Sequence, residues 1–323
     1  MSDFPWPAGA ASGIGSLPGT DIAEAQRIVF GELPDLPHLA ELPGRGPGSE
    51  MIGRTAGFLV ELPVQVYAGR WQIASRPSRD LRRTADLLER DLDQLTEQGD
   101  GFTGTLKVQA AGPWTLAASL DLPIGGRMLR DPGAVRDLTD SLAEGLRRHV
   151  ADVRKRVPGA TVLLQLDEPS LPAVLAGQVP TESGLSAYRA VDGPDAATRL
   201  RTVVEAVEAP VVVHSCAPDV PLQVVRDARA AAVALDLSLV KDLDPLGEAI
   251  EAGLGVFAGV TLPDSKKIAD RVSALWQRLG FPAARLPQQV VITPACGLAG
   301  ATPAYARKVL KACTEAGRRI AEV

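Results

Sequence analysis

The chain has 323 residues, enough for one α/β barrel or two ordinary domains, and 46% of them are hydrophobic although only 4% are aromatic. Its formal net charge is −5, with acidic and basic residues interspersed, so a basic face for nucleic acid is not expected. No apolar run approaches the roughly 20 residues that span a bilayer, and the N-terminus lacks the features of a signal peptide, so we expect a cytoplasmic protein without a membrane partner.

Short β-type runs alternate with helical segments rich in Ala, Leu and Arg, which is the pattern of βαβ units. The runs lie near 11–16, 38–42, 105–111, 161–167, 210–214, 231–236, 255–260 and 289–293. Eight such units predict a single (β/α)8 barrel over residues 1–323, with an insertion between the second and third strands at about 43–100. The insertion contains a helical stretch at 78–98, and Pro and Gly crowd the first two runs.

Chemically capable residues follow several of the predicted strands. The segments GIGSLPG, QLDEPS, VHSC, ALDLS and PACG each come at or just after the end of a run. In barrels of this kind the catalytic groups lie at the carboxyl ends of the strands, which all face one mouth. We therefore expect these segments to converge although they are far apart in sequence.

One histidine and two cysteines are candidate metal ligands. His214 and Cys216 lie two residues apart at a strand end, where their side chains point to the same side, and Cys296 follows the eighth run. Imidazole and thiolate are ligands that zinc prefers, so the three residues predict a catalytic zinc site. The alternative is a buried histidine beside a buried free cysteine. Cys313 lies in a helical segment and is expected to pack in the core.

Three carboxylates and one hydroxyl follow other runs. Asp236 faces the same mouth and could complete the zinc site, or it could cap the next helix or pair with Lys241. Asp167 and Glu168 are adjacent and point in opposite directions, so we expect Asp167 to reach the pocket as an ammonium ligand or base, or to form a structural ion pair. The Ser16 hydroxyl and the backbone of its glycine-rich loop could bind a carboxylate.

Five motifs, in this order, resemble the catalytic barrel of the cobalamin-independent methionine synthases: GIGSLPGT, AAGPWT, QLDEPSL, HSC and PACGL. The resemblance covers about residues 11–302. It implies a core-type, single-barrel member with a TIM-type fold of the methionine synthase and uroporphyrinogen decarboxylase-like kind. In that family, zinc held by a His, two Cys and a Glu binds homocysteine as a thiolate. His214, Cys216 and Cys296 match three ligands, and the glutamate position falls on Asp236, which is one methylene shorter.

The resemblance also implies a site for the amino-acid part of the substrate. Asp167 would hold the ammonium group, and the loop from Ile14 to Ser16 would hold the carboxylate. A family glutamate on the second strand matches Glu41, with Glu50 as a competitor because the insertion GRGPGSEM makes the alignment ambiguous.

Three departures from the family concern the methyl donor. The chain has length for one barrel rather than two, Ser119 stands where the family offers an aromatic to the folate ring, and GVTLPDS lacks the family's proton-transferring histidine. Methyl transfer from a tertiary amine requires protonation of the leaving nitrogen. The departures therefore favour a donor other than free polyglutamyl methyltetrahydrofolate, with a methyl-corrinoid carrier protein as the preferred one.

These observations predict a zinc-dependent methyltransferase of methionine biosynthesis that methylates L-homocysteine. One alternative is methyl or alkyl transfer to another small thiol such as coenzyme M. Another is a catalytically silent barrel that serves as a partner or regulatory subunit, for which the shortened carboxylate and the missing histidine are the support.

Overall fold

A computed structural model describes residues 4–322. Its strands, in chain order, are β1 (Val64–Tyr67), β2 (Arg70–Ile73), β3 (Thr105–Ala111), β4 (Thr161–Asp167), β5 (Val211–Ser215), β6 (Ala232–Asp236), β7 (Gly255–Val260) and β8 (Val290–Pro294). Strands β3 to β8 form one curled parallel sheet in which each strand pairs with the next along the chain. Nearly all residues of these six strands are buried, as expected of parallel strands that are covered by helices.

Two extended segments near the N-terminus join the edges of this sheet. The parallel bridges that connect them to each other and to the sheet are Ala11–Ile292, Ser16–Glu41 and His38–Lys107. The predicted α/β barrel is thereby confirmed as a TIM-type arrangement of six strands and two extended segments. The first two predicted strands are isolated bridges rather than regular strands, since Gly13 and Gly15 interrupt the first run and Pro37 and Pro43 bound the second.

The helices cover the outside of the barrel. They are α1 (Ile22–Glu32), α2 (Met51–Ala56), α3 (Arg79–Gln98), α4 (Pro113–Ala117), α5 (Pro132–Arg156), α6 (Leu171–Leu175), α7 (Gly193–Ala206), α8 (Leu222–Asp227), α9 (Asp244–Glu251), α10 (Ser265–Arg278), α11 (Leu286–Gln289) and α12 (Pro303–Ala321). Several begin at a side-chain cap that satisfies free backbone N–H groups, for example Ser78 before α3 and Thr302 before α12. Within residues 4–322, none of these helices is long and apolar enough to cross a membrane.

The segment between the second extended segment and β3 contains more structure than the sequence predicts. It holds α2, an antiparallel hairpin of β1 and β2, and α3, whose bounds agree with the predicted helical stretch. The hairpin turns at Ala68 and Gly69, which both have positive φ angles, 50° and 77°. Such angles at both central positions are typical of a two-residue hairpin turn.

Side chains inside the barrel change from apolar to polar toward the carboxyl ends of the strands. The apolar cluster at the lower end includes Leu163, Val212, Ala232, Ala234, Phe257 and Val291. Because side chains alternate along a strand, Gln165 and Asp167 share the inward face of β4 with Leu163. His214 shares the inward face of β5 with Val212. The apolar residues therefore form a packed floor, and the polar groups lie above it at the mouth.

A substitution at Gly145 tests how closely α5 packs on the loop that contains Phe58. A Cβ at this position would lie 1.9 Å from the carbonyl oxygen of Phe58, so Gly145→Ala should lower the free energy of unfolding by roughly 1–3 kcal/mol. Gly31 in α1 has no neighbour within 4 Å of the same position. As the matched control, Gly31→Ala should be neutral or stabilise by up to about 1 kcal/mol. Urea unfolding measures both, and equal stability of the two variants would contradict the close contact.

Candidate functional site

The strand register brings Asp167 and His214 together at the mouth of the barrel. They are paired residues of β4 and β5, and Nδ1 of His214 lies 2.6 Å from Oδ1 of Asp167. Both side chains are buried, with only 4% of His214 and 6% of Asp167 exposed. Gln165 donates a second hydrogen bond to the same carboxylate oxygen, at 2.7 Å.

This contact determines which nitrogen of His214 is available to a ligand. A carboxylate accepts hydrogen bonds, so Nδ1 carries the proton that it donates to Asp167, and in a neutral ring Nε2 has a free lone pair. Nε2 is buried and has no hydrogen-bond partner among the described residues. A buried ring nitrogen without a partner is costly unless a ligand or water completes it. The arrangement of His214 is therefore that of a histidine positioned through Nδ1 and open at Nε2.

Cys216 and Cys296 lie at the ends of β5 and β8, and the structure brings their sulfur atoms within 3.1 Å of each other. This distance is well beyond the roughly 2.05 Å of a disulfide bond, and both thiols are free. The hydrogen bond between the sulfurs lowers the pKa of Cys296 to about 6. The same hydrogen bond raises the pKa of Cys216. The two thiols are therefore in direct contact through a hydrogen bond.

Asp236, the last residue of β6, forms a local turn. Its Oδ1 accepts hydrogen bonds from the backbone N–H of Ser238 at 2.7 Å and from the Ser238 hydroxyl at 2.6 Å. Its Oδ2 makes no hydrogen bond to the described residues. Within residues 4–322, no group of three or more His, Cys, Asp or Glu side chains is arranged to hold a metal ion. The assignment of Asp236 as a zinc ligand thus stays a prediction.

The donor set nevertheless fits zinc in its chemistry. One imidazole nitrogen and two sulfurs are ligands that zinc binds in proteins, and catalytic zinc sites use three protein ligands with an open position. His214 has the required free nitrogen, and the two thiols are already in contact through a hydrogen bond. Asp167 stands behind His214, in the place that a carboxylate commonly takes behind a metal-binding histidine.

Glu41 lies beside Ser16 and belongs to a buried network of charges. Its Oε1 accepts a hydrogen bond from Nε of Arg54 at 3.1 Å, and Arg54 also binds Asp91 at 3.1 Å. Burial raises the pKa of Glu41, although the charge of Arg54 opposes the shift. Arg54 Nη2 is buried and has no hydrogen-bond partner in the described part of the chain. Sequence reasoning missed Arg54, because its partners lie 13 and 37 residues away.

Glu50 has a different function from Glu41. Its carboxylate caps α2 by accepting a hydrogen bond from the N–H of Gly53 and accepts others from Gly48 and from the indole of Trp71. These three contacts occupy the carboxylate at the start of the insertion. The structure therefore leaves Glu41, and not Glu50, next to the Ile14–Ser16 loop.

Adjacent to Asp167, Glu168 points away from the mouth, as the alternation of side chains predicts. It is fully buried, and its carboxylate accepts hydrogen bonds from the backbone N–H groups of Trp114 and Thr115 and from the Thr115 hydroxyl. Burial raises its pKa to about 7. Glu168 thus caps α4 and ties the AAGPWT motif to β4.

Two inward side chains hold the carbonyl group of Ile14. Nζ of Lys107 donates to this oxygen at 3.0 Å, and Nε2 of Gln165 donates to it at 2.8 Å. Sequence reasoning missed both residues. Lys107 could have been noticed from the sequence, because it is the only charged residue in the run TLKVQAA, whose side chains are all expected to be buried.

Gly297 follows Cys296, and its φ angle is not positive. Its importance is steric, because a Cβ there would lie 2.1 Å from the Ser16 hydroxyl oxygen. The N–H of Leu298 also donates to the carbonyl of Ser16 at 2.8 Å. The Cys296 loop and the Ser16 loop are therefore packed against each other.

Comparisons with known proteins agree with this architecture. Residues 10–319 match the family model described as the catalytic domain of cobalamin-independent synthases. A B12-independent methionine synthase from Shewanella sp. W3-18-1, in complex with selenomethionine, has a TM-score of 0.65 and 12% identity over 98% of each chain. A methyltransferase from Methanosarcina mazei has a TM-score of 0.58 and 15% identity over 97% of this chain and 95% of its own. No curated protein matches the sequence. At these identities the two structures show a shared fold alone.

The contact between Gly297 and Ser16 can be tested with a neighbouring control. Gly297→Ala should displace the Ser16 loop and lower the free energy of unfolding by roughly 1–3 kcal/mol, because the added methyl group meets Ser16. Gly300 has open space around it and no positive φ angle, so Gly300→Ala should leave stability within about 0.5 kcal/mol of wild type. Urea unfolding distinguishes them; a stable Gly297→Ala protein would show that the loops are not in contact.

Proposed function

Because the chain belongs to the family of cobalamin-independent synthase catalytic domains, we propose that it methylates L-homocysteine at a zinc site. Family membership supports a methyl-transfer enzyme, and the metal, the thiol and the donor are what the proposal adds. The observation that carries it is the buried Nε2 of His214, which has no hydrogen-bond partner within residues 4–322, on the strand end that leads to the Cys216–Cys296 pair.

In this proposal zinc is held by His214 through Nε2 and by the sulfurs of Cys216 and Cys296. Asp236 is the fourth candidate. Ser238 fixes its Oδ1 and leaves Oδ2 without a hydrogen bond, and ligating carboxylates in metal sites are commonly oriented by such bonds. Bound there, zinc would favour the thiolate form of a substrate thiol, whose unperturbed pKa of about 8.5 leaves it mostly protonated at neutral pH.

The amino-acid part of the substrate would bind next to the metal ligands. We assign the ammonium group to Asp167, whose other carboxylate oxygen is not used by His214 and Gln165, with Glu41 nearby. The carboxylate would bind the loop from Ile14 to Ser16. The structural relative from Shewanella was solved with selenomethionine, which supports an amino-acid ligand in this type of barrel.

The histidines outside the zinc site support a donor other than methyltetrahydrofolate. Burial lowers the pKa of both His38 and His149 to about 3, so neither is protonated at neutral pH. His38 is fully buried below the mouth. His149 lies on α5 and packs against Phe58. Because neither histidine can supply the proton that a leaving amine nitrogen requires, a methyl-corrinoid carrier protein is the proposed donor, since its methyl group leaves a metal rather than an amine.

Metal analysis with zinc-edge X-ray absorption, before and after adding L-homocysteine, tests the zinc site. We expect about one zinc per chain and the gain of one sulfur neighbour with homocysteine. Cys296→Ser should lose most of the zinc and the added sulfur, whereas Cys313→Ser, which alters a buried core thiol on α12, should keep both. No zinc in the wild type, or no change with homocysteine, would contradict thiol activation and favour the silent-barrel alternative.

An assay with purified proteins tests the identity of the methyl donor. Zinc-loaded protein and L-homocysteine should yield methionine with a methylated corrinoid carrier and none with methyltetrahydrofolate, because neither His38 nor His149 can protonate the folate nitrogen. Coenzyme M in place of homocysteine serves as the acceptor control and should not be methylated. Methionine formed from methyltetrahydrofolate would overturn the donor assignment.

A further inference from the structure

Lys107 is a buried charge that the proposed chemistry does not use. It lies in the middle of β3, and its side chain has no exposed surface. Burying an ammonium group is costly unless it is paired, yet no carboxylate oxygen of the described residues lies within 4.0 Å of Nζ. Its hydrogen bonds go to the carbonyl of Ile14 at 3.0 Å and to Oε1 of Gln109 at 3.1 Å. A packed apolar residue would fill the same space without this cost, so the ammonium group requires an explanation.

The carbonyl of Ile14 is fixed from two sides. Lys107 and Gln165 both donate to it, and Gln165 also donates to Asp167. A peptide group is planar and trans, so the N–H of Gly15 points away from the Ile14 carbonyl and from Lys107. Neither this N–H nor that of Ser16 donates a hydrogen bond within the described part of the chain. The anchored Ile14 carbonyl therefore orients the N–H of Gly15, and the carbonyl of Gly15, which accepts a hydrogen bond from Glu41 N–H, orients the N–H of Ser16.

Further contacts of the loop restrain rotation of these two N–H groups. Gly15 has a φ of 151°, and a Cβ on it would lie 2.9 Å from the Gln109 side chain. The flanking backbone is also bound, because Glu41 N–H donates to the carbonyl of Gly15 and Leu298 N–H donates to that of Ser16. Each of the two N–H groups thus keeps a fixed direction, and both are available to a carboxylate oxygen.

The charges around Lys107 favour a ligand that carries both signs. The buried or nearly buried charged side chains are the acids Glu41, Asp91, Asp167 and Glu168 and the cations Arg45, Arg54 and Lys107. Glu168 faces away from the mouth, where it caps α4, and the other three acids equal the three cations in number. A zwitterionic amino acid adds no net charge to this set, whereas a thiol with an ammonium group alone adds one.

Resting on the proposed function, we propose that Lys107 is a positioning residue that makes the site selective for thiols carrying an α-carboxylate. Lys107 does not touch the substrate. It holds the Ile14 carbonyl so that the N–H groups of Gly15 and Ser16 receive the carboxylate, and its charge balances the acids that face the substrate ammonium group.

The test compares two thiols that differ only in the carboxylate. L-Homocysteine and 3-amino-1-propanethiol share the thiol and the amine, and calorimetric titration of the zinc-loaded protein gives a dissociation constant for each. We expect the wild type to bind homocysteine at least tenfold more tightly, because hydrogen bonds to a charged group are strong. Lys107→Met, which keeps the aliphatic stem, should weaken homocysteine binding at least tenfold and change aminopropanethiol binding less than threefold.

Controls separate positioning from general damage. Lys155→Met removes an exposed lysine in the last turn of α5, outside this network, and should leave both dissociation constants unchanged. If Lys107→Met does not fold or loses zinc, Lys107→Gln keeps a donor for the Ile14 carbonyl and should weaken homocysteine alone by at least threefold. Equal weakening of both thiols would overturn the positioning role and leave thiol activation intact. If the wild type binds neither thiol, the proposed function itself fails.

Discussion

The hydrogen bond between Asp167 and His214 is the interaction on which the site depends. Parallel pairing of β4 and β5 puts the two residues in register, and burial makes the contact stronger than it would be in water. It fixes the imidazole ring and leaves Nε2 open. Because Cys216 follows two residues later on the same strand end, the register that aligns His214 also determines where this thiol lies. One strand pairing thus arranges a carboxylate, an imidazole and a thiol.

Much of the fold could be predicted from the sequence, because buried parallel strands and covering helices have distinct patterns. The six regular strands of the barrel agree with predicted runs to within a residue or so. The first two runs are placed correctly but are isolated bridges, since Pro and Gly interrupt the ladder. The β1–β2 hairpin was not predicted. Its strands are four residues each, and its Ala68–Gly69 turn lacks the usual Asn or Asp signal.

The candidate site was predictable in its residue types but not in its contacts. Strand-end position is a local property, so His214, Cys216, Cys296 and Asp167 could be found without a structure. The contacts of Lys107 and Gln165 with Ile14 join residues 93 and 151 positions apart, and no local pattern encodes them. Asp236 differs from these residues, because its hydrogen bond with nearby Ser238 competes with its predicted function as a zinc ligand.

The isolated bridges have a consequence for the local opening and closing of the barrel. The ring is closed by single bridges at Ala11, Ser16 and His38 rather than by continuous ladders, so these three junctions have fewer backbone bonds than those within the six-stranded sheet. The loop from Ile14 to Ser16 contains one of these bridges. A ligand bound to this loop adds hydrogen bonds at a weakly paired junction, so ligand binding and closure of the ring stabilise each other. The barrel would then be most rigid when it is loaded.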